Sequence, residues 1–278
     1  MDIVSQNKSF GGVQTVYSHA SETCGVDMTF AVYLPPQAQY QSVPILWYLS
    51  GLTCTHDNAM TKGGLQQHAS EHGIALVFPD TSPRGDGVAD DEAYDLGVGA
   101  GFYVNATQEP WKTHFQMYDY VVKELRVLLQ DTLPINESHG ITGHSMGGHG
   151  ALTIALRNPD LYKSVSAFSP IANPTQSDWG RKQLSAYLGA DESSWADYDA
   201  TILLSELGWH GDILIDQGSD DQFIDLLRPQ AMADAIATRR QPATMRFHDG
   251  YDHSYFFVST FGADHVAWHA NRLNGNGS

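Results

Sequence analysis

The sequence has no long hydrophobic run. None of its 278 residues lies in a stretch that approaches the ~18 consecutive apolar residues of a membrane-spanning helix. The first twelve residues are polar, with neither the basic start nor the apolar segment of a secretory signal. We therefore expect a cytoplasmic protein without a membrane partner.

Cysteine is scarce, with only Cys24 and Cys54 in the chain. Two cysteines are too few for a disulfide framework, and we expect both thiols to stay free in a reducing compartment. The thirteen histidines include no HExxH pair and the cysteines form no cluster, so the pattern predicts neither a metal site nor a cofactor.

Basic residues are also few, because 15 Lys and Arg face 32 Asp and Glu. The formal net charge of −17 repels phosphate backbones and anionic lipids at long range, which argues against nucleic acid as a partner. With 42% hydrophobic residues and no charge-rich or Pro-rich tract, the chain is typical of one globular domain over 1–278. Its Asn- and Gly-rich tail at 274–278 lacks apolar anchors and is expected to fray.

Short apolar runs alternate with helical patterns along the chain, which predicts an α/β fold with helices on both faces of a mostly parallel sheet. Residues 28–34 alternate in character and precede two prolines, so they predict an antiparallel strand near the start. Buried strands are predicted at 45–49, 74–78, 164–168 and 213–215, and a last strand at 243–247. Helices are predicted at 117–129, 148–157, 226–237 and 256–273.

The GxSxG pattern at 143–147 lies between a predicted strand and a predicted helix. In this context Ser145 sits on a tight strained turn, and side chains at Gly143 or Gly147 would collide with the neighbouring strand and helix. The pattern predicts Ser145 as the nucleophile of an α/β-hydrolase, with the helix N-terminus favouring negative charge beside it.

The acid of such an enzyme follows the serine in chain order and orients the base. Asp221 lies three residues after Gly218, beyond the strand at 213–215, and is our candidate. Asp220 is the close rival, and both could instead be solvated turn residues.

The base is predicted at His253, in the loop between the last strand and the last helix. His248 adjoins the strand, while His265 and His269 lie within an amphipathic helix where we expect a surface position.

Two backbone amides are predicted to stabilise the oxyanion of the reaction. Met146 follows the nucleophile, and Leu52 lies in the loop after the strand at 45–49, where Gly51 permits close approach of the backbone. The alternative is that this loop only ends the strand.

Eight blocks of the sequence together resemble the S-formylglutathione hydrolase, or esterase D, family. They are SGLTCT at 50–55, PDTSPRG at 79–85, GAGFYV at 99–104, PWK at 110–112, GHSMGGHGAL at 143–152, YKSVSAF at 162–168, DQGSDDQF at 216–223 and GYDHSYFF at 250–257.

The resemblance implies that Ser145, Asp221 and His253 form the triad, with Leu52 and Met146 as oxyanion donors. It further implies hydrolysis of S-formylglutathione to glutathione and formate, side activity on short acyl esters, and a cytosolic, often dimeric enzyme. Relatives also carry a cysteine near the active site, matched by Cys54, whose modification by thiol reagents impairs activity.

The substrate raises an electrostatic difficulty, since glutathione is anionic and so is this chain. We therefore hypothesise a locally basic mouth drawn from Lys62, Arg84, Lys112, Arg181 and Lys182. Trp179 is predicted to keep the acyl pocket small, although it could equally be a core aromatic.

Three other functions compete with this prediction. A general short-chain carboxylesterase would share every catalytic residue, an acyltransferase of the related extracellular families would need a signal sequence, and a non-catalytic binding module would normally lack a triad member.

Overall fold

A nine-stranded sheet forms the centre of the computed structural model, which describes residues 1–275. The strands lie side by side in the order β1-β2-β3-β5-β4-β6-β7-β8-β9. Their bounds are β1 (Asp2–Ser9), β2 (Gly12–Ala20), β3 (Asp27–Leu34), β4 (Val43–Leu49), β5 (Ala75–Pro79), β6 (Ile135–Gly143), β7 (Ser164–Phe168), β8 (Ile213–Gly218) and β9 (Ala243–His248).

The sheet changes direction at β5. Strands β1, β2, β3 and β5 pair antiparallel, whereas β5, β4 and β6 to β9 pair parallel. The predicted mostly parallel α/β-hydrolase sheet is therefore confirmed. Strands β1 and β2 were not predicted, because β1 is an edge strand whose side chains are almost all exposed and carry no apolar alternation.

Helices cover both faces of this sheet. One face carries α1 (His56–Lys62), α2 (Leu65–His72) and α10 (Tyr255–Leu273). The other carries α3 (Met117–Asp119), a π-helical segment (Tyr120–Leu125), α4 (Arg126–Thr132), α5 (Met146–Arg157), α6 (Asp178–Leu188), α7 (Ala200–Leu207), α8 (Ile224–Leu227) and α9 (Pro229–Arg239).

The predicted helices are present, with local differences. The predicted helix at 226–237 is interrupted at Arg228, which adopts a left-handed conformation at φ 57° because the following Pro229 disfavours a helical backbone before it. The helix expected from 148 begins at Met146. Asn274 and Gly275 form a turn after α10, and the rest of the tail expected to fray lies outside the described residues.

The prediction that His265 and His269 lie on the surface is wrong, because both are buried under α10 against the sheet. Ser166 Oγ lies 2.8 Å from His265 Nδ1 and 2.8 Å from His269 Nε2. His265 Nε2 lies 3.3 Å from an oxygen of Asp216, which Arg246 binds through two contacts of 2.6 Å. We call Ser166, Asp216, Arg246, His265 and His269 the sealed network.

Within residues 1–275, no helix has both the length and the apolarity to cross a membrane. The same part of the chain contains no group of three or more His, Cys, Asp or Glu side chains arranged to hold a metal ion. Cys24 and Cys54 are both free thiols, the first buried and the second half-buried.

Candidate active site

Ser145 occupies the turn between β6 and α5. Its backbone is left-handed, with φ 60° and ψ −119°, and its amide donates to the Phe168 carbonyl at 3.0 Å. A side chain on Gly147 would collide with the Leu49 carbonyl in β4, and one on Gly143 would collide with the Gly147 carbonyl. The crowding that the sequence predicts at this turn therefore has identifiable partners.

Asp221 lies three residues beyond the end of β8 and is buried. One of its oxygens accepts from the Phe223 amide at 2.9 Å, and the other lies 2.6 Å from His253 Nδ1 and 3.0 Å from Gln217 Nε2. Burial alone would raise the pKa of this carboxyl, but these hydrogen bonds and the His253 charge hold the pKa below its ordinary value. The rival Asp220 is exposed and accepts only from Ser219 Oγ, at 3.0 Å.

The His253 ring is fixed by Asp221 on one side and by aromatic rings on two others. Its centroid lies 5.1 Å from that of Phe223 and 4.4 Å from that of His144. Because a carboxylate accepts at Nδ1, the proton belongs on that nitrogen, and Nε2 is left to take a proton from another group.

Ser145 and His253 line the same cavity. In the described chain no hydrogen bond joins the Ser145 hydroxyl to the imidazole, and such contacts often tighten only when substrate is bound. The structure thus brings Asp221 and His253 into direct contact and places Ser145 in the wall of the cavity that His253 also lines.

The competing histidines lie elsewhere. His248 stacks on Phe261 at a centroid distance of 3.6 Å and lies 3.3 Å from Asp216, while His265 and His269 belong to the sealed network. None of the three lines the cavity beside Ser145.

The cavity has a volume of about 240 Å³ and is mostly apolar. The predicted residues Leu52, Cys54 and Trp179 all contribute to its wall. Its full lining is Gly51, Leu52, Thr53, Cys54, Tyr94, His144, Ser145, Trp179, Phe223, His253, Ser254 and Tyr255.

Two backbone amides are available as donors, that of Leu52 in the cavity wall and that of Met146, the residue after Ser145. In the loop after β4, the Thr53 amide donates to Gly99 at 2.9 Å and the Cys54 amide to Gly51 at 3.3 Å, which leaves the Leu52 amide without a backbone acceptor among residues 1–275. The Met146 amide is in the first turn of α5, where no intrahelical acceptor exists. A Cβ on Gly51 would lie 3.2 Å from the Ser145 Cβ, so this loop does approach the nucleophile closely.

None of the five basic side chains proposed for the mouth lines the cavity. Lys112, Arg181 and Lys182 are neutralised by ion pairs with Glu109, Glu192 and Asp95, respectively. Lys62 is exposed at the last residue of α1.

Arg84 approaches the wall, because it pairs with Asp80 at 3.0 Å and donates to the Cys54 carbonyl at 3.0 Å, and Lys62 is near enough to lower the pKa of the Cys54 thiol against the effect of burial. Arg84 therefore braces the loop that carries Cys54 and Leu52. The Cys54 thiol is half-buried, and burial raises its pKa, so it is a protonated thiol rather than a thiolate at neutral pH.

Six residues of the wall carried no role in the sequence predictions, and four of them have rings: Tyr94, His144, Phe223 and Tyr255. Phe223 and Tyr255 each lie two residues beyond a predicted catalytic residue, and His144 precedes Ser145, so proximity in sequence was an available signal. Burial and, after it, the charge of His253 lower the pKa of His144 well below its ordinary value, which keeps this imidazole neutral. Nothing in the sequence indicated that Tyr94 lines the cavity, since it lies in an acidic loop between the blocks at 79–85 and 99–104.

Comparisons with known proteins agree with this geometry. The family model described as Esterase matches residues 21–276. The chain is 63% identical over 273 residues to S-formylglutathione hydrolase of Paracoccus denitrificans (strain Pd 1222). It is 51% identical over 276 residues to S-formylglutathione hydrolase of Mus musculus. Each alignment covers 98% of this chain and 98% of the relative. It is also similar to the structure of an S-formylglutathione hydrolase from Agrobacterium tumefaciens, with a TM-score of 0.96, 52% identity and coverage of 98% of this chain and all of that chain.

Proposed function

Because this chain belongs to the S-formylglutathione hydrolase family of esterases, we propose that it hydrolyses S-formylglutathione to glutathione and formate. The observation that carries the proposal is the 2.6 Å contact of His253 with Asp221 at a cavity that Ser145 also lines. A thioester carbonyl held in this cavity would meet a nucleophile, a base and two amides.

In the proposed reaction, Ser145 Oγ attacks the formyl carbon while His253 Nε2 takes the hydroxyl proton. Asp221 keeps the imidazole oriented and stabilises its positive charge. The amides of Leu52 and Met146 bind the oxyanion of the tetrahedral intermediate.

Collapse of that intermediate breaks the carbon–sulfur bond, and the glutathione sulfur leaves with the proton from His253. The formyl group is then an ester on Ser145. A water molecule gives a proton to His253 and attacks the same carbon, and formate leaves as Ser145 regains its proton.

We propose that the aromatic wall sets the size of the acyl group. Trp179 is only 7% exposed, and its ring centroid lies 5.4 Å from that of Phe223, so the two rings close one side of a cavity of about 240 Å³. Trp179→Ile should improve kcat/KM for p-nitrophenyl butyrate relative to p-nitrophenyl acetate, whereas an unchanged ratio would remove Trp179 from this role.

The decisive experiment compares kcat/KM for S-formylglutathione with that for p-nitrophenyl acetate. The proposal requires a clear preference for the thioester, and a preference for the simple ester would make the chain a general carboxylesterase instead. A fluorophosphonate probe should label the native chain and leave Ser145→Ala unlabelled, which tests the nucleophile independently of the substrate.

The family resemblance also leads us to propose a homodimer in the cytoplasm. Sedimentation velocity at micromolar concentration would separate a dimer from a monomer of 30.5 kDa.

A further inference from the structure

A second cavity lies at the opposite end of the parallel strands from Ser145. Segments that precede β7, β8 and β9 form it, whereas Ser145, Asp221 and His253 follow β6, β8 and β9. A six-residue strand is roughly 20 Å long, so a molecule in this cavity would not overlap a substrate at Ser145. Its wall consists of Leu156, Arg157, Pro159, Leu207, Gly208, Trp209, His210, Arg239, Arg240, Gln241 and Pro242.

The charge of this wall is opposite to that of the protein. It contains three of the fifteen Lys and Arg residues and one histidine, but none of the thirty-two Asp and Glu residues. In a chain of net charge −17, a wall whose fully charged side chains are all arginines is a local excess of positive charge.

Two buried donors of the wall have no acceptor among residues 1–275. They are Nη1 of Arg157 and Nε1 of Trp209, and Trp209 is only 7% exposed. Buried donors are nearly always paired in folded proteins, so two unpaired donors in residues of one wall need an explanation.

Two of the three arginines are positioned before any ligand arrives. Arg157 lies over the rings of Tyr118 and Tyr198, 4.2 and 4.7 Å from their centroids. Arg239 donates to the carbonyls of Ser205 and Leu207 at the end of α7. Pairing with helix carbonyls explains the place of Arg239, but it leaves the donors of Arg157 and Trp209 unexplained.

We propose that this cavity is a binding site for a small organic anion, with a phosphate or carboxylate group bound by Arg157 and Arg240. Guanidinium groups match the geometry of both oxyanions. The volume of about 750 Å³ suits a metabolite rather than a bare ion, and the apolar residues Leu156, Leu207 and Trp209 would contact its body.

Isothermal titration calorimetry with AMP and with citrate tests the site and separates an organic phosphate from a carboxylate. Ionic strength is held at about 0.15 M, and inorganic phosphate shows what the anion contributes alone. We expect saturable binding of AMP or citrate, one per chain, and weaker binding of inorganic phosphate.

Arg240→Gln should weaken that binding about tenfold or more, as expected for loss of a hydrogen bond from a charged group. Arg228→Gln is the matched control, because Arg228 is also exposed and left-handed at φ 57° but lies at the other end of α9 and outside this wall. Trp209→Phe removes the unpaired N–H while it keeps an aromatic ring, and it should weaken binding as well.

Arg240 and Arg228 do not belong to the proposed catalytic machinery. Arg240→Gln and Arg228→Gln should therefore hydrolyse p-nitrophenyl acetate at the native rate, which shows that both variants are folded. Absence of saturable binding for both organic anions would overturn the proposal. Equal weakening in Arg240→Gln and Arg228→Gln would also overturn it, because the attraction would then be a general charge effect.

Discussion

The structure contains two sets of Ser, His and Asp residues that share a strand and a helix. Asp216 lies within β8 and Asp221 just beyond its end, while His253 precedes α10 and His265 lies inside it. In both sets a histidine ring nitrogen contacts a buried carboxylate, at 2.6 Å for Asp221 and at 3.3 Å for Asp216. Residue types and contacts alone therefore do not make a catalytic site.

Access and backbone geometry separate the two sets. Ser145 lies on a left-handed turn at a cavity and at the start of a helix, whereas Ser166 lies within a regular strand and is completely buried. The Asp216 carboxylate is also bound by Arg246, so its charge is already balanced. The sealed network stabilises the fold, and the set at the cavity is the one that substrate can reach.

Replacing the two serines should give the largest contrast. Ser145→Ala should lower kcat for p-nitrophenyl acetate by a factor on the order of 10⁵, because the nucleophile is lost. Ser166→Ala should leave kcat within about twofold and lower the free energy of unfolding by ~1–3 kcal/mol, because His265 and His269 lose a buried partner. Steady-state kinetics and urea denaturation of both variants measure the two effects, and substantial activity in Ser145→Ala would refute the assignment.

Replacing the two aspartates should give the same kind of contrast, with a loss of activity at Asp221 and a loss of stability at Asp216. Asp221→Asn should lower kcat by about 10⁴ with little change in stability, because the amide favours the wrong imidazole tautomer. Asp216→Asn should instead destabilise the protein by about 3 kcal/mol, because it leaves the Arg246 charge without its main partner. A catalytic defect in Asp216→Asn at temperatures where it remains folded would mean that the two sets are coupled.

Lowering the pH should reduce the free energy of unfolding because the buried histidines cannot bind protons in the native state. Burial holds the pKa of His265 below 6.5 and that of His269 well below it, so the unfolded chain binds protons there that the native chain does not. The free energy of unfolding should therefore fall as pH drops below about 6.5, by up to ~1.4 kcal/mol per pH unit for each such histidine.

Urea denaturation at several pH values between 7.5 and 5 measures this dependence. His269→Gln should be less stable at pH 7.5 but less sensitive to acid, while His72→Gln, at an exposed position, should parallel the native chain. A native stability curve that is flat over this range would show that the buried imidazoles accept protons without unfolding.

The smallest expected effect concerns the ring that supports His253. His144→Ala should lower kcat/KM by about tenfold, because the ring that packs 4.4 Å from the His253 imidazole is lost, and His144→Phe should restore most of the activity. The acidic limb of the pH–rate profile should be the same in His144→Phe and the native chain, since His144 is neutral where it is buried. A shifted limb would show that His144 carries charge.

The sequence predicted the parallel strands, the position of Ser145 and the pairing of Asp221 with His253 as candidates, because tight turns and strand ends impose specific residue types. It did not predict β1, whose exposed side chains lack an apolar pattern, or β2, which is mostly buried although polar residues interrupt its apolar ones. The burial of His265 and His269 was also missed. A histidine in a helix is expected at the surface unless buried hydrogen-bond partners are known. Here the partners of His265 are Ser166 and Asp216, which lie in strands about 50 to 100 residues away in the chain.

The basic mouth was predicted from charge composition, which does not show which cations are already paired. Lys112, Arg181 and Lys182 each form an ion pair with an acidic residue. Counting charges does not show which residues pair, and the partner of Lys182 lies far away in the sequence. The electrostatic attraction of an anionic substrate thus has no source in those three side chains.

The crowding around Gly143 and Gly147 has a consequence for protein engineering. The carbonyls of Leu49 and Gly147 fill the space of any Cβ at these positions, whereas Ser145 lines a cavity. We therefore expect residue 145 to tolerate a replacement such as Ser145→Cys, whereas a side chain at Gly143 or Gly147 would force the backbone around the turn to move.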